Sequence, residues 1–234
     1  MNILIIGATH GNELLGPRLY TRLLAKRSPV LEHVNFIIGN PRAYAQRVRY
    51  TESDLNRSYS LGNSTYEQRR AQEIQRYIDE TKPDLVIDMH TTSTVQPNIM
   101  IVGNTTNHQV RKYLQACHLH QILKVQPMHD SASIAQNLVA YEVPNRNISA
   151  ELLDDIEKDL VRFVAGERHV GERLLYEMTD KIYQKDVTPA QFKTFVNFEM
   201  HELGFVPIMT GNNSYKHETD YYGFKSARPT ILPL

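Results

Sequence analysis

A chain of 234 residues with 26 basic and 26 acidic side chains has no net charge to drive nucleic-acid binding, and its apolar content of 41% is that of an ordinary globular protein. That length holds one sizeable core, or a main domain with a small appendage, and no apolar run approaches the ~20 residues a membrane span needs. The N-terminus lacks the basic stretch of a signal peptide and the single cysteine, Cys117, excludes an internal disulfide, so a cytoplasmic protein without membrane or nucleic-acid partners is expected.

Residues 3–6 (ILII) read as a buried strand that runs into Gly7-Ala8-Thr9-His10-Gly11-Asn12-Glu13. In a parallel α/β sheet the C-terminal end of a strand is where ligand sites form, and an imidazole three positions before a carboxylate supplies two zinc-ligand types. Residues 17–26 have helical spacing, and 33–39 (HVNFIIG) read as a second strand closed by a Gly-Asn-Pro turn. Residues 42–57 are polar, rich in arginine and without period, so a loop over the sheet edge is expected. Residues 66–80 (YEQRRAQEIQRYIDE) form an amphipathic helix stopped by Lys82-Pro83, and 84–88 (DLVID) form a third strand leading into Met89-His90-Thr91-Thr92.

Further strands are expected at 98–102 and 122–125, and a helix at 108–117 that makes Cys117 a buried thiol. Residues 133–141 carry no clear pattern. Residues 147–152 (NISAEL) read as a strand, and a helix begins at 154 and runs, with a break at Gly166, as far as 178. From 187 onward glycine and proline recur and 194–200 (TFVNFEM) alternate like a strand. The expected fold is α/β, a mostly parallel sheet flanked by helices over residues 1–186, with a small, mainly β C-terminal appendage over 187–234.

His90 follows a strand end as His10 does, and two strand ends delivering His-x-x-Glu and a distant His form a zinc carboxypeptidase-like ligand set: His10, Glu13 and His90. Asp88 is placed to accept the free N–H of a ligand imidazole. Arg49 and Arg57 bring the fork geometry that suits a carboxylate, with Asn56 beside them. Glu151, a carboxylate in an apolar stretch, is the candidate proton carrier, with Glu142 and Asp154 as competitors.

GATHGNE, DLNRSY and DMHTT together resemble the family of aspartoacylase and succinylglutamate desuccinylase, relatives of the zinc carboxypeptidases, over the first ~155 residues. The resemblance implies one Zn2+ per chain on His10, Glu13 and His90, a substrate carboxylate on Asn56 and Arg57, and a scissile carbonyl polarised by Arg49. It implies Glu151 as the catalytic glutamate, although the family's Glu-Val-Gly is replaced there by Glu151-Leu152-Leu153. Of Tyr221-Tyr222, Tyr221 better matches the tyrosine that closes the family's site; Arg146 does not match the spacing of the arginine that grips a side carboxylate in aspartoacylase. The implied activity is zinc-dependent hydrolysis of the amide of a small N-acyl amino acid. The rival readings are a carboxypeptidase acting on short peptides and a non-catalytic carboxylate-binding relative.

Overall fold

The computed structural model of the protein describes residues 1–59, 61–125, 134–211 and 219–234. Strand β1 (Ile3–Gly7) is apolar throughout and buried on both faces, the pattern of an interior parallel strand. It lies between β2 (Val34–Ile38) and β3 (Leu85–Thr92), parallel to both, with Ile5 opposite Phe36 on one side and Ile87 on the other. Strand β3 pairs in parallel with β6 (Leu138–Pro144), which sets His90 opposite Glu142.

Beyond β6 the direction reverses. Strand β4 (Ile99–Val102) is antiparallel to β6, while β5 (Gln121–Lys124) and β7 (Leu174–Tyr183) run parallel to β4. Strand β9 (Tyr221–Ser226) continues the sheet antiparallel to β7, β8 (Val206–Ile208) is antiparallel to β9 in turn, and β10 (Thr230–Ile231) also pairs with β7, antiparallel to it. Among the described residues the order is β2-β1-β3-β6-β4-β5-β7-β9-β8. The sheet is thus mixed α/β with flanking helices, and the C-terminal strands extend it through β7.

The two-residue period of the strands sorts the core into layers. Ile3, Ile5, Ile87 and Met89 face α1 (Leu15–Lys26), α4 (His108–Ala116) and α5 (Ala150–Ala165). Leu4, Ile6, Val86 and Ala140 face α3 (Tyr66–Thr81), where Ala71, Ile74 and Ile78 pack. Asp88, His90 and Glu142 extend this second face beyond its apolar part, so the polar residues stand at the C-terminal edge of the central strands. No helix among the described residues is long and apolar enough to cross a membrane.

Four local expectations are corrected. Residues 147–152 are not a strand: the strand lies upstream as β6, and Ser149, whose hydroxyl accepts from Leu152 N at 3.2 Å, caps the start of α5. The following helix ends at Ala165, where Gly166 turns left-handed at φ 74°, and residues 174–178 belong to β7. Residues 194–200 alternate without forming a strand, because Phe198 takes φ 67° and donates its N–H to Pro207 O instead. Within 42–57 the chain makes α2 (Pro41–Gln46), capped by Asn40, and a 3₁₀ turn at Leu55–Arg57. Of residues 133–141, position 133 lies outside the described residues.

Candidate metal centre

Strand β1 ends at Gly7, and Ala8 reverses the chain in the left-handed region at φ 54°, which turns His10 back over the strand end. Gly11 passes so near α2 that a Cβ there would stand 2.1 Å from the carbonyl carbon of Ala43, so the backbone contact itself requires glycine. Glu13 N donates to His10 O at 2.9 Å, closing the turn that brings the two side chains together. The third residue, His90, arrives from the end of β3 beside β1.

The three side chains converge in a buried position, with His10 3%, Glu13 4% and His90 4% exposed. His10 Nδ1 lies 2.8 Å from Glu13 Oε1 and His90 Nδ1 lies 3.2 Å from Glu13 Oε2, with the two rings 5.4 Å apart. The outer nitrogens are committed elsewhere: His10 Nε2 donates to Asp54 Oδ1 at 3.0 Å and His90 Nε2 to Asp88 Oδ2 at 2.8 Å. Asp88 is itself oriented by the Thr9 hydroxyl at 2.8 Å. With each Nε2 proton given to a carboxylate, both Nδ1 atoms face Glu13, and a cation is required between them. Either extra protons or a metal ion satisfies that demand, and two imidazoles with one carboxylate are the donors of an open zinc site.

The electrostatics agree with a centre built for positive charge. Burial alone would lower the pKa of both histidines, but Glu13 with Asp54 raises His10, and Asp88 with Glu13 raises His90 well above its ordinary value. Burial would likewise raise Glu13, yet the two histidines hold it down at about 2.

Asp54 links this centre to the arginine loop. Its Oδ2 accepts from Arg49 Nη2 at 3.0 Å, and Arg57 Nε stands 4.0 Å away. Arg49 O accepts from Gly11 N at 3.1 Å, so the loop is laced to the histidine turn through backbone as well. Asn56 and Arg57 occupy the 3₁₀ turn after Asp54, and the Arg57 side chain is 46% exposed. Tyr221, on β9, lies within electrostatic reach of Arg57: burial pushes its phenol up and the Arg57 charge draws it down. Tyr222 instead stacks on Phe192 at 4.1 Å.

The structure does not bring Glu151 to this group. It sits exposed in the first turn of α5, where its own backbone N–H and Ser149 hold its carboxyl below the ordinary value. Asp154 is engaged by Arg22 and Lys26 on α1. Glu142 is the carboxylate beside the centre. It is buried opposite His90 on β6, and burial together with the Glu13 charge pushes it up to about 7, against the pull of His90, His10 and Arg49. Arg146 lies exposed in the 3₁₀ turn Asn145–Asn147 after β6. From the sequence Asp54, inside the DLNR motif, is expected only as an ion partner of the arginines, and its bond to His10 has no signal there; Glu142 ranks below Glu151, although Glu142-Val143 keeps two of the three residues of Glu-Val-Gly.

A second group of ligand-type atoms, on Cys117, His118 and Asp159, lies elsewhere, between α4 and α5. Asp159 already accepts from His118 N, His118 Nδ1, Tyr141 Oη and Arg162 Nη2 at 2.5–3.0 Å, which commits both oxygens. Burial pushes the Cys117 thiol well up, and this cluster is a hydrogen-bonded hub, with Cys117 in the buried position expected of it.

Comparison with known proteins agrees with the geometry. Mouse aspartoacylase (Mus musculus) is 31% identical over 201 residues, covering 73% of this chain and 64% of the mouse protein, so the chain spans less than two thirds of that relative. Two solved structures share the fold: succinylglutamate desuccinylase from Chromobacterium violaceum, with TM-score 0.74 and 15% identity over 100% of this chain and 86% of that one, and the E177A mutant of murine aminoacylase 3, with TM-score 0.72 and 19% identity over 100% and 96%. The model of the succinylglutamate desuccinylase/aspartoacylase catalytic domain matches residues 1–151, and the chain belongs to that family.

Proposed function

We propose that the protein is a zinc-dependent amidohydrolase that removes the acyl group from a small N-acyl amino acid. The observation that carries this reading is the pair of imidazole Nδ1 atoms closing on one buried carboxylate, with both Nε2 atoms held by aspartates and a second buried glutamate alongside. His10, Glu13 and His90 would hold one zinc ion per chain. When bound, zinc supplies Lewis acidity that polarises a carbonyl and lowers the pKa of water to about 7.

The chain's own residues account for the rest. Glu142, not Glu151, is the general base: its raised pKa suits a carboxyl that accepts a proton from the attacking water and returns it to the departing amine nitrogen. Arg49 presents a guanidinium toward the oxygen that becomes negative as the tetrahedral carbon forms, with Asp54 fixing its orientation. Asn56 and Arg57 bind the free carboxylate of the amino acid, and Tyr221 covers that end of the substrate. Asp54 and Asp88 hold the two imidazoles in the tautomer that keeps Nδ1 available.

The deciding experiment combines metal analysis with activity. The parent should contain one zinc per chain and release amine from N-acyl amino acids in preference to short peptides; chelation should abolish turnover and added zinc restore it. His10→Ala and His90→Ala should each lose the metal. Full zinc occupancy in both variants, or faster turnover of peptides than of N-acyl amino acids, would sink the reading.

A further inference from the structure

Glu67 lies outside the candidate ligand group of His10, Glu13 and His90, yet it is fully buried and gathers an unusual number of donors. It occupies the first turn of α3, where the helix N-terminus favours a negative charge. Its Oε1 accepts from Thr51 N and Thr51 Oγ1, both at 2.7 Å, and from Asn40 Nδ2 at 3.2 Å. Its Oε2 accepts from Glu52 N at 3.2 Å and Ser53 N at 3.1 Å. Burial would push this carboxyl up; the bonds from Thr51, Asn40 and Ser53 hold it below its ordinary value, so it is an anion in the folded protein.

The donors lie on the segment that joins Arg49 to Asp54. Three successive backbone N–H groups, at positions 51, 52 and 53, point at one carboxylate, and that fixes the path of the chain between the two. Asn40, the remaining donor, gives its own N–H to Ala8 O at 3.0 Å, in the left-handed turn just before His10. One buried side chain therefore ties together the arginine loop and the histidine turn. The neighbouring Glu52 reinforces the attachment by accepting from Tyr66 N at 2.8 Å.

We propose that Glu67 is a positioning residue of the site: by holding the amides of residues 51–53 it sets Arg49 and Asp54 against His10, and so controls turnover without touching substrate. The proposal rests on the amidohydrolase reading, but its structural half does not. Glu67→Gln keeps the shape while turning N–H groups toward backbone donors, which removes acceptor capacity where two amides need it.

Parent, Glu67→Gln, Arg49→Ala and the double variant are compared on one N-acyl amino acid, and hydrogen exchange across residues 49–57 is read on metal-free protein. The expected result for Glu67→Gln is faster exchange at residues 51–53, retained zinc, and a fall in kcat of about 10–100-fold, the range for partners that orient a metal site. In the Arg49→Ala background the same change should cost little more, because both act through one guanidinium. Unchanged loop exchange, or fully multiplicative losses in the double variant, would overturn the proposal; so would a lower Tm with kcat per folded molecule intact. If Glu67→Gln does not fold, Thr51→Val removes one donor and should show the same changes in smaller measure. A parent without turnover refutes the amidohydrolase reading instead, and loop exchange then decides alone whether Glu67 holds the segment.

Discussion

Two glutamates, Glu142 on β6 and Glu151 at the start of α5, differ in what surrounds them, and the roles proposed for them follow from that difference. Glu142 is buried beside His90 and Glu13, where an ionised carboxyl is costly, and its pKa rises to about 7. Glu151 is exposed at a helix N-terminus, where its charge is stabilised and its affinity for a proton falls. A proton carrier at neutral pH must both take and release, which the buried surroundings of Glu142 favour over the exposed helix start of Glu151. Glu142→Gln is therefore expected to keep zinc and lower kcat by about 10²–10⁴, the range for positioned acid–base catalysis, while Glu151→Gln leaves kcat unchanged. Steady-state kinetics and metal content on both variants check this; a loss in Glu151→Gln alone would reverse the assignment. At this scale the convergence of His10, Glu13 and His90 was legible because each sits in a compact motif after an apolar strand. The placement of Glu151 was not, because the apolar run Ile148 to Leu153 looks like a strand until Ser149 is recognised as a helix cap.

Helices were legible in the sequence where cap and period agree, as in α3, where Thr65 and Gln68 form a reciprocal capping box ahead of Ala71, Ile74 and Ile78. What the period does not reveal is which helix meets which, and for α1 and α5 charge decides it. Arg22 grips Asp154 with Nε and Nη2, both at 2.7 Å, Lys26 Nζ adds a bond to Asp154 at 3.0 Å, and Lys26 also reaches Glu157. The Arg22 bonds, then those of Lys26, hold the Asp154 carboxyl well below its ordinary value. The folded form thus binds this proton less tightly than the unfolded chain does. The bridge contributes fully above the ordinary carboxyl value of 3.8 and fades as pH falls below it toward the depressed folded value. Arg22→Met should lower Tm at pH 7, and the gap from the parent should shrink steadily toward about pH 2, and shrink also in high salt at pH 7. Thermal melts of both proteins across that range test it, and a gap independent of pH would show that Arg22 acts through its apolar stem instead.

The parts of the molecule meet in one strand. The first half of β7 pairs with β5 and β10, and its second half, from Met178 to Tyr183, pairs with β9. The sequence marked a change of texture near residue 187, but not this sharing, because the partners of β7 are distant in the chain and its exposed residues Glu177, Thr179 and Asp180 hide the strand pattern. The core crosses the same line: Val206, Ile208 and Phe224 pack with Ile99, Leu123 and Tyr176. A polar contact crosses it as well: Asn197, held from within the appendage by Thr210 N on its Oδ1, donates its Nδ2 to Val95 O. Val95 stands in the turn after β3, the strand that carries His90, so the appendage contacts the edge on which the candidate metal centre lies. A shared strand and a shared core mean that residues 187–234 should not unfold alone. Val206→Asp places a carboxylate without a partner at a position 1% exposed, a change expected to cost about 3–5 kcal/mol. If the sheet is one cooperative unit, that loss lowers the stability of the entire chain. Amides of β1 should then lose protection against hydrogen exchange in step with those of β9, and zinc should be released at the same lowered Tm. Loss of protection confined to β8 and β9, with β1 and zinc binding unaffected, would show that the appendage melts separately and that the metal centre does not depend on it.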